Sequence, residues 1–302
     1  MQWKRHVAGL AFISVFVVSY FTNKFVLSVL KFTYPTLFQG HAFRWQTFIG
    51  AVLLLLFGKL GWVEMSRITR SAALSWLPAS LLFVGNIYAG SRALSRIDIP
   101  FFFTLQNSSH VVSYVILKVV QREKTQWLKL ISICLMMLSA VNLPLNDPQF
   151  DYGGYLWAVG HLFCVGKSGA YRVFQVHYKS SNLSDIEQQC INYVFSVLLL
   201  AVAAHPTGDL MGALEFPSLQ SHTFHCGCCA SALLGFLLLL ATVRLKSGLS
   251  LEHFRVWMFL SKVTAVCLSP FLFFMDINAP SLICVVISHV GEALFVYSER
   301  EL

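Results

Sequence analysis

Lys262 is the residue whose type and position most demand a chemical explanation. It lies midway along the apolar stretch from Phe254 to Met275, roughly a dozen Å from either end at about 1.5 Å per residue. A cation at the centre of a bilayer costs about 2.5–3.5 kcal/mol on insertion scales, so it is expected to face a cavity and a partner. Two readings follow. Lys262 meets an anion, for which a phosphate of about two negative charges is well suited. Alternatively it forms a structural ion pair with Glu292, the one acid well inside an apolar stretch. Lys24 and Lys118 lie near the ends of such stretches, where a long side chain can snorkel towards water.

Polar side chains at helical stagger outline a cavity around this cation. Asn86, Tyr88 and Arg92 lie in one stretch, Thr104 and Asn107 in the next, Asn192 and Ser196 in a later one, and Ser261 beside Lys262. Amides can read the edge of a nucleobase and tyrosines can stack on a base or sugar. Transmembrane helices also use Asn, Ser and Thr to hold one another. Carboxylates are too scarce inside these stretches for a pair of tuned acid and base groups. Cations without acids favour binding an anion over hydrolysing one, so the chain reads as no enzyme and calls for no cofactor.

Three strings imitate known sites without meeting their requirements. Gly166-Lys167-Ser168 resembles the end of a phosphate-binding loop, but the required earlier glycine would fall on His161. His222, His225, Cys226, Cys228 and Cys229 lack the paired Cys-x-x-Cys arms of a tetrahedral zinc site. Close helix packing by Gly227, Ala230 and Ser231 is the better reading, so no metal is expected. Cys134, Cys164, Cys190, Cys267 and Cys284 are scattered singly and read as small hydrophobes rather than a disulfide framework.

The elements that must carry these residues are set by composition. The chain is 56% hydrophobic and 12% charged over 302 residues, against about 25% charged in soluble domains. So much apolar material needs lipid as its solvent. Each span needs about 20 apolar residues. Ten fit, at approximately 7–29, 33–58, 72–94, 99–120, 127–145, 153–174, 188–205, 226–243, 254–275 and 279–297. The expected fold is all-α, one polytopic transmembrane domain over 1–302, in which approximate repeats 1–145 and 150–302 form two inverted five-helix halves. An odd number of helices per repeat makes the second copy insert upside down, a common transporter plan with its site at the midplane. The first stretch reads as an uncleaved helix, being too long for a signal core and lacking a cleavage site.

Positive charge sits in small groups between the spans, not in a stripe, which argues against nucleic acid. With both termini cytosolic, Lys4, Arg5, Arg70, Arg122, Lys129, Arg172, Lys246 and Arg300 fall on one side, while Asp147, Asp151, Asp209 and Asp276 fall on the other. That is the distribution the positive-inside rule demands. The sequon at Asn182 then faces the cytosol and should carry no glycan.

Several strings together carry a resemblance. Thr22-Asn23-Lys24-Phe25-Val26-Leu27, followed by Phe32-x-Tyr34-Pro35, is similar to the first helix of nucleotide-sugar transporters in the ten-helix drug/metabolite transporter superfamily. Ser91-Arg92-Ala93-Leu94, Ile99-Pro100 and Leu105-Gln106-Asn107 resemble the signature of their third and fourth helices. The GDP-mannose carriers are the nearest well-known branch. The resemblance implies a Golgi antiporter that imports a nucleotide sugar and exports a nucleoside monophosphate. It implies substrate contacts at Lys262, Ser261, Asn192, Asn107, Tyr88, Arg92 and Lys24.

Where GDP-mannose carriers have F-Y-N-N, this chain has Cys190, Ile191, Asn192 and Tyr193, keeping one asparagine. Their G-A-L-N-K becomes Met258, Phe259, Leu260, Ser261 and Lys262. The phosphate-facing lysine is kept while the guanine and mannose readers are largely absent. That favours a uridine sugar, and the resemblance points to UDP-N-acetylglucosamine, with UMP as its exchange partner. GDP-mannose, another phosphorylated metabolite, or a non-transporting scaffold are the alternatives. Dimer formation is left open. The family pattern also lacks His41-Ala42-Phe43-Arg44 and about three residues around Lys167, so neither Arg44 nor Lys167 is given a role.

Overall fold

The computed structural model describes residues 2–30, 50, 52, 54, 56, 68–121, 126–174, 183–204 and 221–299. Among them the chain is all-helical, with no strand. Helix α1 (Gln2–Lys24) runs on into a π-helical turn, Phe25–Val29. Then follow α2 (Arg70–Arg96), α3 (Ile99–Asn107) and α4 (Ser109–Gln121). Helices α5 (Trp127–Asn146), α6 (Tyr152–Phe174) and α7 (Asp185–Ala204) come next. The last three are α8 (His222–Gly248), α9 (Leu251–Leu272) and α10 (Ala279–Ser298).

Among the described residues, six segments are long and apolar enough to cross a membrane: Arg5–Val29, α2, α5, α8, α9 and α10. The stretch expected at 99–120 is two helices, α3 and α4, broken at Ser108, whose amide bonds the Leu105 carbonyl at 3.1 Å. Stretches 153–174 and 188–205 are helical as α6 and α7. The expected span 33–58 lies almost wholly outside the described residues, as do Arg44, Asn182 and Asp209; Gly50, Val52, Leu54 and Leu56 are helical.

The bundle is a multi-pass membrane protein whose surface is apolar and whose interior is lined by small polar residues. Val18, Leu74, Leu81, Leu138, Val141, Leu198, Leu282 and Val286 are exposed. Ser80, Ser196, Ser261, Ser269, Ser281 and Ser288 are fully buried. A serine lets two backbones approach closely and can satisfy its hydroxyl on a carbonyl of its own helix or a neighbour. Ser281 Oγ does the latter, donating to Asn146 O at 2.7 Å and joining the start of α10 to the end of α5.

Helix α2 packs most extensively on α6 and then α7; α5 packs on α10, α1 on α8 and α9, and α4 on α6. Asn23 and Ser231 are hydrogen-bonded between α1 and α8. A side chain at Gly227 would come within 3.0 Å of Val26 Cγ2, so the glycine of the cysteine-rich string serves close packing. The Gly166-Lys167-Ser168 string lies inside α6, not on a loop. Gly166 abuts α4, its carbonyl accepts from Ser113 Oγ at 2.8 Å, and Lys167 is exposed.

A Cβ on Gly166 would lie 2.6 Å from Val112 Cβ and 2.8 Å from the Ser109 carbonyl oxygen, where neither neighbour is a flexible tip. Overpacking of this kind costs about 1–3 kcal/mol. Gly166→Ala should therefore lower the melting temperature of the detergent-solubilised protein by several degrees. Gly248→Ala, with nothing within 4 Å of the new carbon, should leave it nearly unchanged. Equal melting of the two variants would contradict the α4–α6 contact.

Candidate functional site

A cavity of about 370 Å³ opens between α1, α2, α7 and α8, within the ~300–1,000 Å³ range of small-molecule sites. Ser19, Tyr20 and Asn23 face it from α1, and Asn86, Gly90 and Ser91 from α2. Asp185, Gln188, Gln189 and Tyr193 line it from α7, Leu238, Thr242 and Lys246 from α8, with Phe102 and His161 added by α3 and α6. Amides, aromatic rings and one lysine are thus brought to one space by helices far apart in sequence.

Each wall has a local cause. Asp185, Gln188 and Gln189 share a helix face because residues three and four apart are neighbours. The start of α7 is fixed by a reciprocal cap, Ser184 N to Glu187 Oε2 at 2.7 Å and Glu187 N to Ser184 Oγ at 3.3 Å. His161 sits 2.9 Å from the Asn86 carbonyl through Nδ1. A carbonyl only accepts, so Nδ1 carries the hydrogen and Nε2 keeps a lone pair. His161 Nε2 and Asn86 Oδ1 are both buried without a protein partner, a condition native interiors seldom tolerate without ligand, water or an alternative arrangement. Gly90 makes room for the ring, since a Cβ there would lie 2.8 Å from His161 Nδ1.

The seven residues expected from sequence are placed elsewhere, each held by protein contacts, and none belongs to this lining. Lys262 donates to Glu292 Oε1 at 2.5 Å and to Asn107 Oδ1 at 3.0 Å. Asn107 Nδ2 donates in turn to Ser288 Oγ at 3.3 Å, so α3, α9 and α10 meet in one buried network. Ser261 Oγ bonds the Trp257 carbonyl at 2.7 Å. Asn192 Oδ1 accepts from Trp76 Nε1 at 3.1 Å and Ser80 Oγ at 2.9 Å, tying α7 to α2.

Tyr88 stands edge-on to Trp157 at 5.2 Å, and the Arg92 guanidinium lies 5.7 Å from the Tyr88 ring centre. Lys24 does not snorkel. It is 6% exposed and donates to Leu94 O at 2.9 Å and Ile97 O at 2.7 Å. It thereby satisfies carbonyls left over at the end of α2, where the helix dipole favours a cation.

Sequence reasoning found Asn86 and missed most of the rest. Gln188-Gln189 was a visible signal, a double amide near the start of an apolar helix. Lys246 counted only towards orientation, yet it pairs with Asp185 at 2.8 Å inside the cavity lining. Their side chains are 37% and 36% exposed, and pairs so placed contribute only about 0.2–1 kcal/mol. The Lys262–Glu292 pair is 10% and 4% exposed, and removing one partner of a buried pair costs about 3–5 kcal/mol.

An all-helical membrane bundle enclosing a cavity lined by both apolar and polar side chains is a plan that membrane carriers use. Over 300 residues and 99% of both chains, the sequence is 53% identical to a Xenopus laevis protein named UDP-N-acetylglucosamine transporter TMEM241 homolog. Over the same length and coverage it is 50% identical to the Mus musculus UDP-N-acetylglucosamine transporter TMEM241. The Arabidopsis thaliana GDP-mannose transporter GONST1 is 23% identical over 243 residues, covering 76% of this chain and 69% of that protein. No family model matches the chain. The chain belongs to the nucleotide-sugar transporter family, with the TMEM241 proteins.

The network around Lys262 makes a stability prediction. Lys262→Gln leaves the Glu292 carboxylate buried without a counter-charge and should destabilise the protein by about 3–5 kcal/mol. Lys262→Gln/Glu292→Gln should recover most of that loss in a detergent melt. No recovery in the double variant would show that the pair does not hold α9 to α10.

Proposed function

We propose that this protein imports UDP-N-acetylglucosamine into the Golgi lumen in exchange for UMP. The observation that carries this reading is full-length identity of 50–53% to relatives named for that sugar nucleotide. The cavity is consistent with it. Tyr20, Tyr193 and Phe102 offer rings for a base or sugar, Asn86, Gln188 and Gln189 offer amides, and Lys246 offers a cation for phosphate.

The proposed architecture is ten membrane crossings in two inverted five-helix repeats, with both termini cytosolic. Numbered so, α1, α2, α3–α4 and α5 are the first, third, fourth and fifth spans, and α6 to α10 are the sixth to tenth. A five-span shift maps the α2–α6 contact onto α8–α1, α4–α6 onto α9–α1, and α5–α10 onto itself. All are principal contacts of the bundle, which supports the two-fold relation. Arg255 near the start of α9 pairs with Glu299 after α10, and Gly9 adjoins Trp257, so the two chain ends lie towards one face of the bundle.

Of the residues inferred from resemblance, Lys262 keeps a place in this reading only by leaving Glu292 for phosphate in another conformation. The double variant Lys262→Gln/Glu292→Gln tests this, since wild-type exchange in that well-folded protein would leave Lys262 a structural role alone.

Purified protein in vesicles loaded with UMP should take up UDP-N-acetylglucosamine faster than GDP-mannose. UMP and the sugar nucleotide each carry about two negative charges near pH 7, so uptake should be insensitive to membrane potential. Equal or faster uptake of GDP-mannose would remove the substrate assignment. In cells, the parent protein should show no endoglycosidase-sensitive change in migration; a shift that disappears in Asn182→Gln would reverse the orientation.

A further inference from the structure

We propose that Lys246 captures the phosphates of the ligand and that Asp185 occupies Lys246 until the ligand arrives, so that entry is an exchange of one anion for another. This deepens the carrier reading above and rests on it. Within the cavity's described lining, Lys246 is the only lysine or arginine and Asp185 the only acid. A dianion entering this space therefore meets a wall of zero net formal charge, with its one cation already bonded at 2.8 Å. Binding requires that cation to be released.

Comparison of the interior lysines identifies which one can be released. Lys24 is buried on two carbonyls, and Lys262 on Glu292 and Asn107. Moving either one strands buried acceptors. Lys246 and Asp185 are each more than a third exposed, so both partners can be rehydrated when they part. The site Lys246 faces is also built for anionic oxygen. Gln188 and Gln189, one helical turn from Asp185 on the same face, line the same space; Gln188 Nε2 donates to the Leu183 carbonyl at 3.0 Å and keeps a second amide hydrogen. Asp185 lies in the first turn of α7, where the helix dipole favours negative charge. A phosphate that displaces the Asp185 side chain from Lys246 inherits part of that field.

The exchange also bears on coupling. With no ligand the cavity is internally neutral, because Asp185 answers Lys246. With ligand, Lys246 is answered by phosphate and Asp185 is set free of α8. The Lys246–Asp185 bond that joins the α7 start to the α8 end is then open. UMP and a UDP-sugar share this phosphate contact, while the base and sugar are left to the amides and rings deeper along α7 and α2.

The test measures binding of UMP, UDP-N-acetylglucosamine and uridine by calorimetry to the full-length protein in detergent. Lys246→Gln should weaken both phosphorylated ligands by about tenfold or more, the loss expected of a charge-assisted contact. Asp185→Asn should tighten them by about fivefold, because the competing carboxylate is gone. Uridine, lacking phosphate, should bind both variants as it binds the parent. Opposite signs for the two variants are the signature. A pair serving only to strap α7 to α8 would make both variants less stable and shift binding in the same direction. If Lys246→Gln does not fold, Asp185→Asn still decides, since Ser184 and Glu187 cap α7 without Asp185. A parent protein that binds neither UMP nor UDP-N-acetylglucosamine would overturn the carrier reading itself. A parent that binds them, with Asp185→Asn no tighter, would overturn the capture role alone.

Discussion

A bilayer offers no hydrogen-bonding partner, and from that constraint the arrangement of polar groups in this bundle follows. Every polar side chain must find its partner on its own helix, on a neighbour, or in a cavity. The serines take the first two routes, bonding carbonyls within α2, α7, α9 and α10 or across to another helix. The cations take the second in two forms. Lys24 bonds the carbonyls at the end of α2, and Lys262 bonds Glu292 with Asn107 beside it. Both tie α1 to α2 or α9 to α10 and α3 with groups that have nowhere else to go.

Groups taking the third route mark the cavity. Asp185, Gln188, Lys246 and Asn86 line a space, and the Asp185–Lys246 pair lies within that lining. Burial alone does not separate the two populations, since Ser19, His161 and Gln189 are buried within the lining. Asn107, Asn192 and Ser261 are 0–2% exposed and fully engaged, as expected of residues that glue helices together. Polarity inside a span therefore does not by itself identify a ligand site, because the same Asn or Lys serves either purpose.

That ambiguity explains what could and could not be read from the sequence. The helices were legible because apolar length is a local property; α2, α5, α9 and α10 fall within a few residues of the stretches read from hydropathy. The break at Ser108 was not, because Ser108 Oγ donating to the Met136 carbonyl at 3.2 Å is a contact made across 28 residues. At the site, Lys262 and Glu292 were legible as the rare charges of their helices, and their pairing at 2.5 Å realises one of the two readings open to them. Lys246 and Asp185 were not legible as a cavity pair. Each lies in the terminal turn of its helix, where charges are common, and only the packing of α7 and α8 against α1 and α2 places them in one space.

The two ends of the cavity are held by interactions of very different strength. Towards Asn23 and Leu27 the α1–α2 contact is sealed by Lys24 on two carbonyls, with Ser28 Oγ donating to Ser95 O at 3.2 Å. Parting those groups would strand buried polar atoms on both helices, a cost incurred in full inside a membrane. Towards Gly248, beyond the apolar cluster of Cys190, Tyr193 and Phe236, the one ion pair between α7 and α8 among the described residues is partly exposed, and its partners lose little when water replaces either of them. The end with the weaker tie bears Lys246, the only lysine among the described lining residues, so in the proposed capture step the counter-charge for an anion lies where the helices are least firmly held. In the proposed capture step this contact is the one exchanged, while the polar network that stiffens the rest of the bundle stays in place.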